Sequence, residues 1–376
     1  MSVRLDPQRE PPLEVDVASA LTVEAGGLER YLVREEDPDE FWDEVIRAGQ
    51  QTPSGPPNIQ RFARLCRSNP DGPAVLWSVR ETGSNRIAGF RAAFPCHVLV
   101  DGERRTAWNG GDFWIDPRLQ GLAVAVKLDR VVKDGVDAGR ADFFYTFPTE
   151  RMQIIHDRVG FQQIGTVVRL VRPLRSWNGV ERRGLVRWLL PGRSRRLGNA
   201  LHSWRSAERR HRLTHDVRRF TAAAFDEGFD RLFEATAATR RVIAIRDQRH
   251  LNWRYGQDPQ HPADGVVVEQ GGTLKGYALF RSDDGVGRVK DILAVDGLAL
   301  PDLVVSLVRS AEHLGLRALE ACVDERNPVL PVLEEFGFVR EPETEAVYAY
   351  APHRTAIRTA LLAGETWLLA LGDRDV

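Results

Sequence analysis

Lysine is nearly missing from this chain. Of its 52 basic residues, all but Lys127, Lys133, Lys275 and Lys290 are arginine. Acidic residues number 53, so the net charge is −1 and no general affinity for nucleic acid is expected. Cysteine is scarce as well. Cys66, Cys96 and Cys322 are odd in number and far apart, which excludes a disulfide framework and offers no metal-ligand spacing. No run approaches the ~18 apolar residues of a membrane span, and no apolar core follows a basic start. A cytoplasmic protein without a metal is the expectation.

What is present is ordinary globular composition over 376 residues, more than one typical core holds, so two domains are expected. Residues 1–27, rich in Pro, Glu and Val without a period, read as a mobile arm. Residues 28–174 read as a first domain and 216–352 as a second, with 353–376 a helix or strand tail. Between the domains, 175–215 form a connector in which arginines alternate with Trp177, Trp188 and Trp204. It reads either as a helical link whose tryptophans pack between domains or as a weak membrane-surface or polyanion contact.

The most informative stretch is Asp112-Phe-Trp-Ile-Asp-Pro-Arg-Leu-Gln-Gly-Leu-Ala-Val-Ala125. An apolar strand ends at Asp116-Pro117, crosses a turn of small residues, and enters a helix near Leu122. The first N–H groups of a helix lack intrahelical acceptors and carry partial positive charge, so such a junction suits an anion. Small residues at Gly121, Ala123 and Ala125 let a diphosphate approach the backbone. A second strand, 141–147, and a short helix closed by Gly160-Phe161 follow.

This order resembles the core of the GNAT superfamily of acetyl-CoA-dependent acetyltransferases. The family turn, Pro-x-x-Gln/Arg-x-x-Gly-x-Gly/Ala, lays onto Pro117, Gln120, Ala123 and Ala125; a second register uses Arg118, Gly121 and Ala123. The resemblance implies acetyl-CoA or another acyl-CoA as cosubstrate. It assigns the pantetheine arm to the backbone of Phe113, Trp114 and Ile115, and the diphosphate to Arg118, Gln120, Gly121, Leu122, Ala123, Val124 and Ala125. In the family's second helix a tyrosine protonates the departing sulfur. Aligned on Gly160-Phe161, His156 takes that place, against the plainer reading of a half-exposed helix histidine. Asp112 is the candidate base for the amine, or else a residue that supports an irregular strand at Gly110-Gly111.

From Asp216 a similar order recurs, ending at Gly337-Phe338, but where a phosphate turn belongs the chain reads Asp296-Gly-Leu-Ala-Leu-Pro-Asp302. The expected fold is mixed α/β: two GNAT-like domains, each a twisted mixed sheet flanked by helices, the second degenerate. The expected activity is acyl transfer to a small-molecule or polymer-precursor amine by direct attack in a ternary complex. Two alternatives stay open: aminoacyl or acyl transfer onto a cell-envelope or polysaccharide precursor, and a non-catalytic acyl-CoA-binding scaffold. The block His250-Leu-Asn-Trp-Arg-Tyr255 also looks like one in bacterial tandem acetyltransferase-like proteins. His211 and His215 have helical spacing but no zinc context.

Overall fold

A computed structural model describes residues 30–47, 63–119, 122–174, 207–208, 210–221, 224–256, 263–353 and 355–363, with 367, 369 and 373–374. The expected arm and almost all of the expected connector lie outside the described residues. The first half runs β1 (Tyr31–Glu36), α1 (Pro38–Arg47), a helical turn at Ala63–Arg67, β2 (Val75–Glu81), β3 (Ile87–Val100), β4 (Glu103–Ile115), α2 (Leu122–Asp137), β5 (Phe143–Thr146), α3 (Glu150–Val159) and β6 (Gln162–Pro173). The second runs β7 (Asp216–Thr221), α4 (Glu227–Ala237), β8 (Val242–Ala244), α5 (Gln248–Leu251) with a turn at Asn252–Gly256, then β9 (Asp264–Gln270), β10 (Thr273–Asp283) and β11 (Val286–Ala294). It closes with α6 (Ala299–His313), β12 (Ala318–Asp324), α7 (Val329–Glu335), β13 (Val339–Tyr350) and α8 (Ala356–Ala363).

The architecture is the mixed α/β one expected, with a correction: the described strands form one continuous sheet instead of two. Its order is β1-β2-β3-β4-β5-β13-β6-β12-β11-β10-β9-β7, with β8 paired to β3. The closing strands are exchanged. β13 pairs with β5 of the first half, while β6 pairs with β12 of the second. The two exchanged strands also pair with each other. Ala346, Tyr348 and Tyr350 therefore complete the core under α2 and α3, and Val168 and Leu170 complete the core under α6. Periodicity within a strand does not reveal which strand it will pair with, so this joining was invisible in the sequence.

Strand β3 runs unbroken from Ile87 to Val100 despite Pro95. Proline removes a ladder donor and is tolerated where that side of the strand is unpaired. Here β2 covers β3 only to Ala93 and β8 begins at Val98, leaving Pro95 in the gap. The β3–β4 hairpin turns at Asp101 and Gly102, both with positive φ.

Two short stretches in the sheet are parallel: Ala107–Asn109 of β4 with Phe143–Tyr145 of β5, and Val286–Val289 of β11 with Ala318–Ala321 of β12. Each is bridged by a helix, α2 or α6. The start of α6 differs from that of α2 in one respect. The Asp296 carboxylate accepts hydrogen bonds from the N–H groups of Leu298 and Ala299 at 2.9 and 3.2 Å. A side-chain anion already sits where an external one would dock. Near the other end of the connector, His211 and His215 both bond Asp302 on α6, at 2.5 and 2.7 Å.

The exchange makes a test of cooperativity. Leu170 is fully buried in β6, a strand of the first half packed in the second half's core. Leu170→Ala is expected to cost about 2–5 kcal/mol. Urea unfolding followed by tryptophan fluorescence and by far-UV circular dichroism should shift as one transition. Two separated transitions, only one of them moved, would contradict the shared core.

Candidate functional site

The strand before the proposed turn is irregular. Ala92 of β3 stands opposite Gly111 of β4, but Phe90 stands opposite Trp114, so Asp112 and Phe113 together face Arg91. This is a β-bulge, and Asp112 adopts φ 44° in it, a left-handed conformation that aspartate tolerates better than most residues. Asp112 is 8% exposed. The irregular strand expected at Gly110-Gly111 is found just beyond them, at Asp112-Phe113. After the bulge, Phe113 and Ile115 pack toward α2, while Trp114 turns to the opposite face and stacks on Phe90 at 5.7 Å.

Beyond Asn109 and Tyr145 no further β4–β5 pairs form, so the sheet parts there. Asp116 ends β4. Its carboxylate accepts the Arg118 N–H at 2.9 Å and the Arg118 guanidinium at 2.7 and 3.0 Å, and it also pairs with Arg86. The Arg118 contacts above all hold this carboxyl well below the ordinary aspartate range. Arg118 is therefore engaged locally, although its side chain stays largely exposed. A groove lies beside it, lined by Glu44, Arg86, Ile87, Trp114 and Pro117. Gln120 and Gly121, the centre of the expected diphosphate loop, lie outside the described residues, as do the side chains of Leu122 and Ala123. Val124 and Ala125 are buried against the sheet.

His156 occupies a place the sequence did not foretell, and this corrects its expected role as a proton donor. The ring is 1% exposed, stacks on Phe161 at 5.0 Å, and bonds through Nδ1 to Asp129 Oδ2 at 2.6 Å. The other Asp129 oxygen pairs with Arg91, whose guanidinium covers Phe144 at 4.8 Å and Phe113 at 5.5 Å. Burial first, and the Arg91 charge second, push the imidazole far below its usual range. A ring held neutral in the core lacks the readily released imidazolium proton, and its Nδ1 is engaged by Asp129. Asp129, fully buried on α2, was missed in sequence because it reads as one charge in an amphipathic helix. Arg91, Asp129 and His156 instead tie β3, α2 and α3 together.

Titration tests that assignment. An unfolded histidine takes up a proton below about pH 6.5, whereas the folded one resists it. Stability must then fall as pH drops from there, by up to about 1.4 kcal/mol per pH unit for this one group. Urea unfolding at pH 7, 6 and 5 should show His156→Gln losing that share of the slope. An unchanged slope would mean the ring protonates freely in the folded chain.

No protein-family model matches the sequence, and no curated protein matches it. Solved structures do. A GCN5-related N-acetyltransferase from Anabaena variabilis superposes with TM-score 0.59 at 11% identity, over 86% of this chain and 73% of that one. A probable N-acyltransferase from Enterococcus faecalis gives 0.57 at 12% identity, over 85% and 72%. Saccharomyces cerevisiae N-myristoyltransferase with bound myristoyl-CoA gives 0.54 at 12%, over 85% and 82%. This chain has the GNAT fold.

Proposed function

We propose that this protein, having the GNAT fold, is an acyl-CoA-dependent acyltransferase acting on an amine. The observation that carries the reading is the parting of β4 from β5 beyond Asn109, followed by the β4 bulge at Asp112-Phe113 and the start of α2. A bulge leaves backbone groups outside the ladder, and here they belong to the strand assigned to the pantetheine arm. The residues present fit such a cosubstrate. The start of α2 would bring N–H groups that have no acceptor within the helix to the diphosphate, with the Asp116-paired Arg86 and Arg118 beside it. Acyl-CoA brings the activated thioester. The chain's task is to orient it and to accept the amine's proton, by direct attack without an acyl-enzyme. In this reading the second half is a degenerate copy, its helix start already capped by Asp296.

The acyl chain is left open between acetyl and longer groups. The structural neighbours include both an acetyltransferase and a protein holding myristoyl-CoA. A second reading, acyl-CoA binding without turnover, is favoured by one observation. His156, the residue the resemblance assigned as proton donor, is enclosed in the core and bonded to Asp129.

Isothermal titration with acetyl-CoA and myristoyl-CoA tests the reading. Binding is expected in the native chain, and Gly121→Glu, which sets a carboxylate in the turn, should weaken it at least tenfold without changing the unfolding midpoint. No binding of either ligand by the native chain would overturn it. Binding without thiol release toward any amine would select the second reading.

A further inference from the structure

The sheet of the second half carries a cluster of cations on the face away from α6. Phe280 of β10, Val289 of β11, Ala321 of β12 and Val168 and Leu170 of β6 turn into the core under α6. Side chains alternate along a strand, so the neighbours of these residues, Arg281, Arg288, Lys290, Glu320 and Arg169, belong to the opposite face. The register sets them side by side: Arg281 stands opposite Arg288, and Arg288 beside Glu320. Lys290 is the extra residue of a bulge, since Leu279 faces Asp291 while Phe280 faces Val289. Pairs between β11 and β12 end at Val289 and Ala321, so this bulge stands where the two strands part.

Several of these cations have an acid. Arg169 pairs with Glu320 at 2.9 Å, Arg288 pairs with Asp283, and Arg374 pairs with Glu345 at 2.6 Å. Lys290 has no carboxylate among the described residues; the charges acting on it are Arg281, Arg254 and Arg288, with the Cys322 thiol nearby. Burial first, and these three arginines next, push its amine down to about 8. Arg281 donates to the Arg254 carbonyl at 3.4 Å, which keeps the two arginines together. Like charges directly opposite across a ladder destabilise a sheet, and a partly desolvated ammonium beside them adds to the cost. The cluster is nevertheless open to solvent. Lys290 is half-buried, and the Arg169 and Arg288 side chains are 39% and 40% exposed. Repulsion kept at an accessible face points to an anion supplied from outside.

We propose that this face of the second half binds a phosphoryl group, held by the Lys290 ammonium and the guanidiniums of Arg281 and Arg288. Lysine supplies a compact charge and arginine a fork of N–H donors, a combination that suits a tetrahedral dianion. A carboxylate, with a single charge and two oxygens, would leave part of the cluster unmatched. The site lies in the other half from the start of α2, and it stands or falls independently of the acyl-transfer reading.

The experiment titrates the full chain calorimetrically with inorganic phosphate and with phenyl phosphate, at low salt. Lys290→Met is expected to weaken both about tenfold or more, the scale of a lost charged hydrogen bond. In phosphate-free buffer the same substitution should raise the unfolding midpoint, because the repulsion is gone; a packing defect would lower it. Gly121→Glu, in the turn proposed for the diphosphate, should leave phosphate binding unchanged. Because the chain has few lysines, acetylation by N-acetoxysuccinimide can be followed residue by residue, and phosphate should slow it at Lys290 but not at Lys133. Tighter binding of phenyl phosphate identifies an organic molecule as the source of the phosphoryl group, and equal binding the free ion. No binding of either probe by the native chain, or binding that Lys290→Met leaves intact, overturns the proposal. Binding lost only in Gly121→Glu overturns it too, by placing the anion at α2.

Discussion

The exchange of closing strands is the constraint on which the other features depend. Neither half can bury its helices alone: α2 and α3 rest on β13 residues from the far end of the chain, and α6 rests on β6 from the first half. Side chains at the junction lock this arrangement. The Tyr350 hydroxyl donates to Asp137 of α2 at 2.6 Å, and Arg172 of β6 pairs with Glu208 in the buried space beside Phe336. Contacts so distant in sequence lose chain entropy before they contribute, yet once made they fix the angle between the halves.

Inside the first half, one buried charge cluster has the same logic. Arg91 on β3 is enclosed, and an unpaired guanidinium there would be costly. Asp129 cancels its charge, and the neutral His156 consumes the remaining carboxylate oxygen. The cluster sits directly behind the bulge, since Arg91 is the residue that Asp112 and Phe113 share as their opposite. Gly110 is needed beside it: a Cβ there would lie 2.3 Å from the Phe144 ring on which Arg91 rests. The irregular strand and the polar core thus hold each other in place.

Much of this was legible in the sequence, and the boundary follows physical scale. The strand, turn and helix around Asp116 and the Gly160 stop are local, set by backbone sterics and capping, and the residues announce them. Alternation in 143–147 places Phe144 on the α2 side and Phe143 with Tyr145 on the other, as the structure has it. Pairing partners were not legible, because β6 and β13 carry no mark of which neighbour they will take. His156 was misread for a related reason. Its spacing fits a site helix, but burial depends on what lies above it, and Asp129 and Tyr348 arrive from elsewhere in the chain.

The two helix starts differ in how the nearby carboxylate is engaged, which bears on the proposed anion site at α2. At α6, Asp296 satisfies the first amides with its own carboxylate, so the helix gains a cap and forfeits an external anion. At α2, the neighbouring acid, Asp116, is turned away from that duty. Arg86 and Arg118 hold its oxygens, and among the described residues the one backbone N–H its carboxylate accepts is that of Arg118, before the helix begins. A carboxylate near a helix start blocks anion binding when its oxygens reach the free N–H groups, and permits it when arginines engage them first. By that criterion Asp116, paired with arginine, leaves the proposed diphosphate site at α2 open, whereas Asp296 closes the start of α6. The scarcity of lysine fits this arrangement, because a planar guanidinium can hold a carboxylate by two parallel bonds and an ammonium cannot.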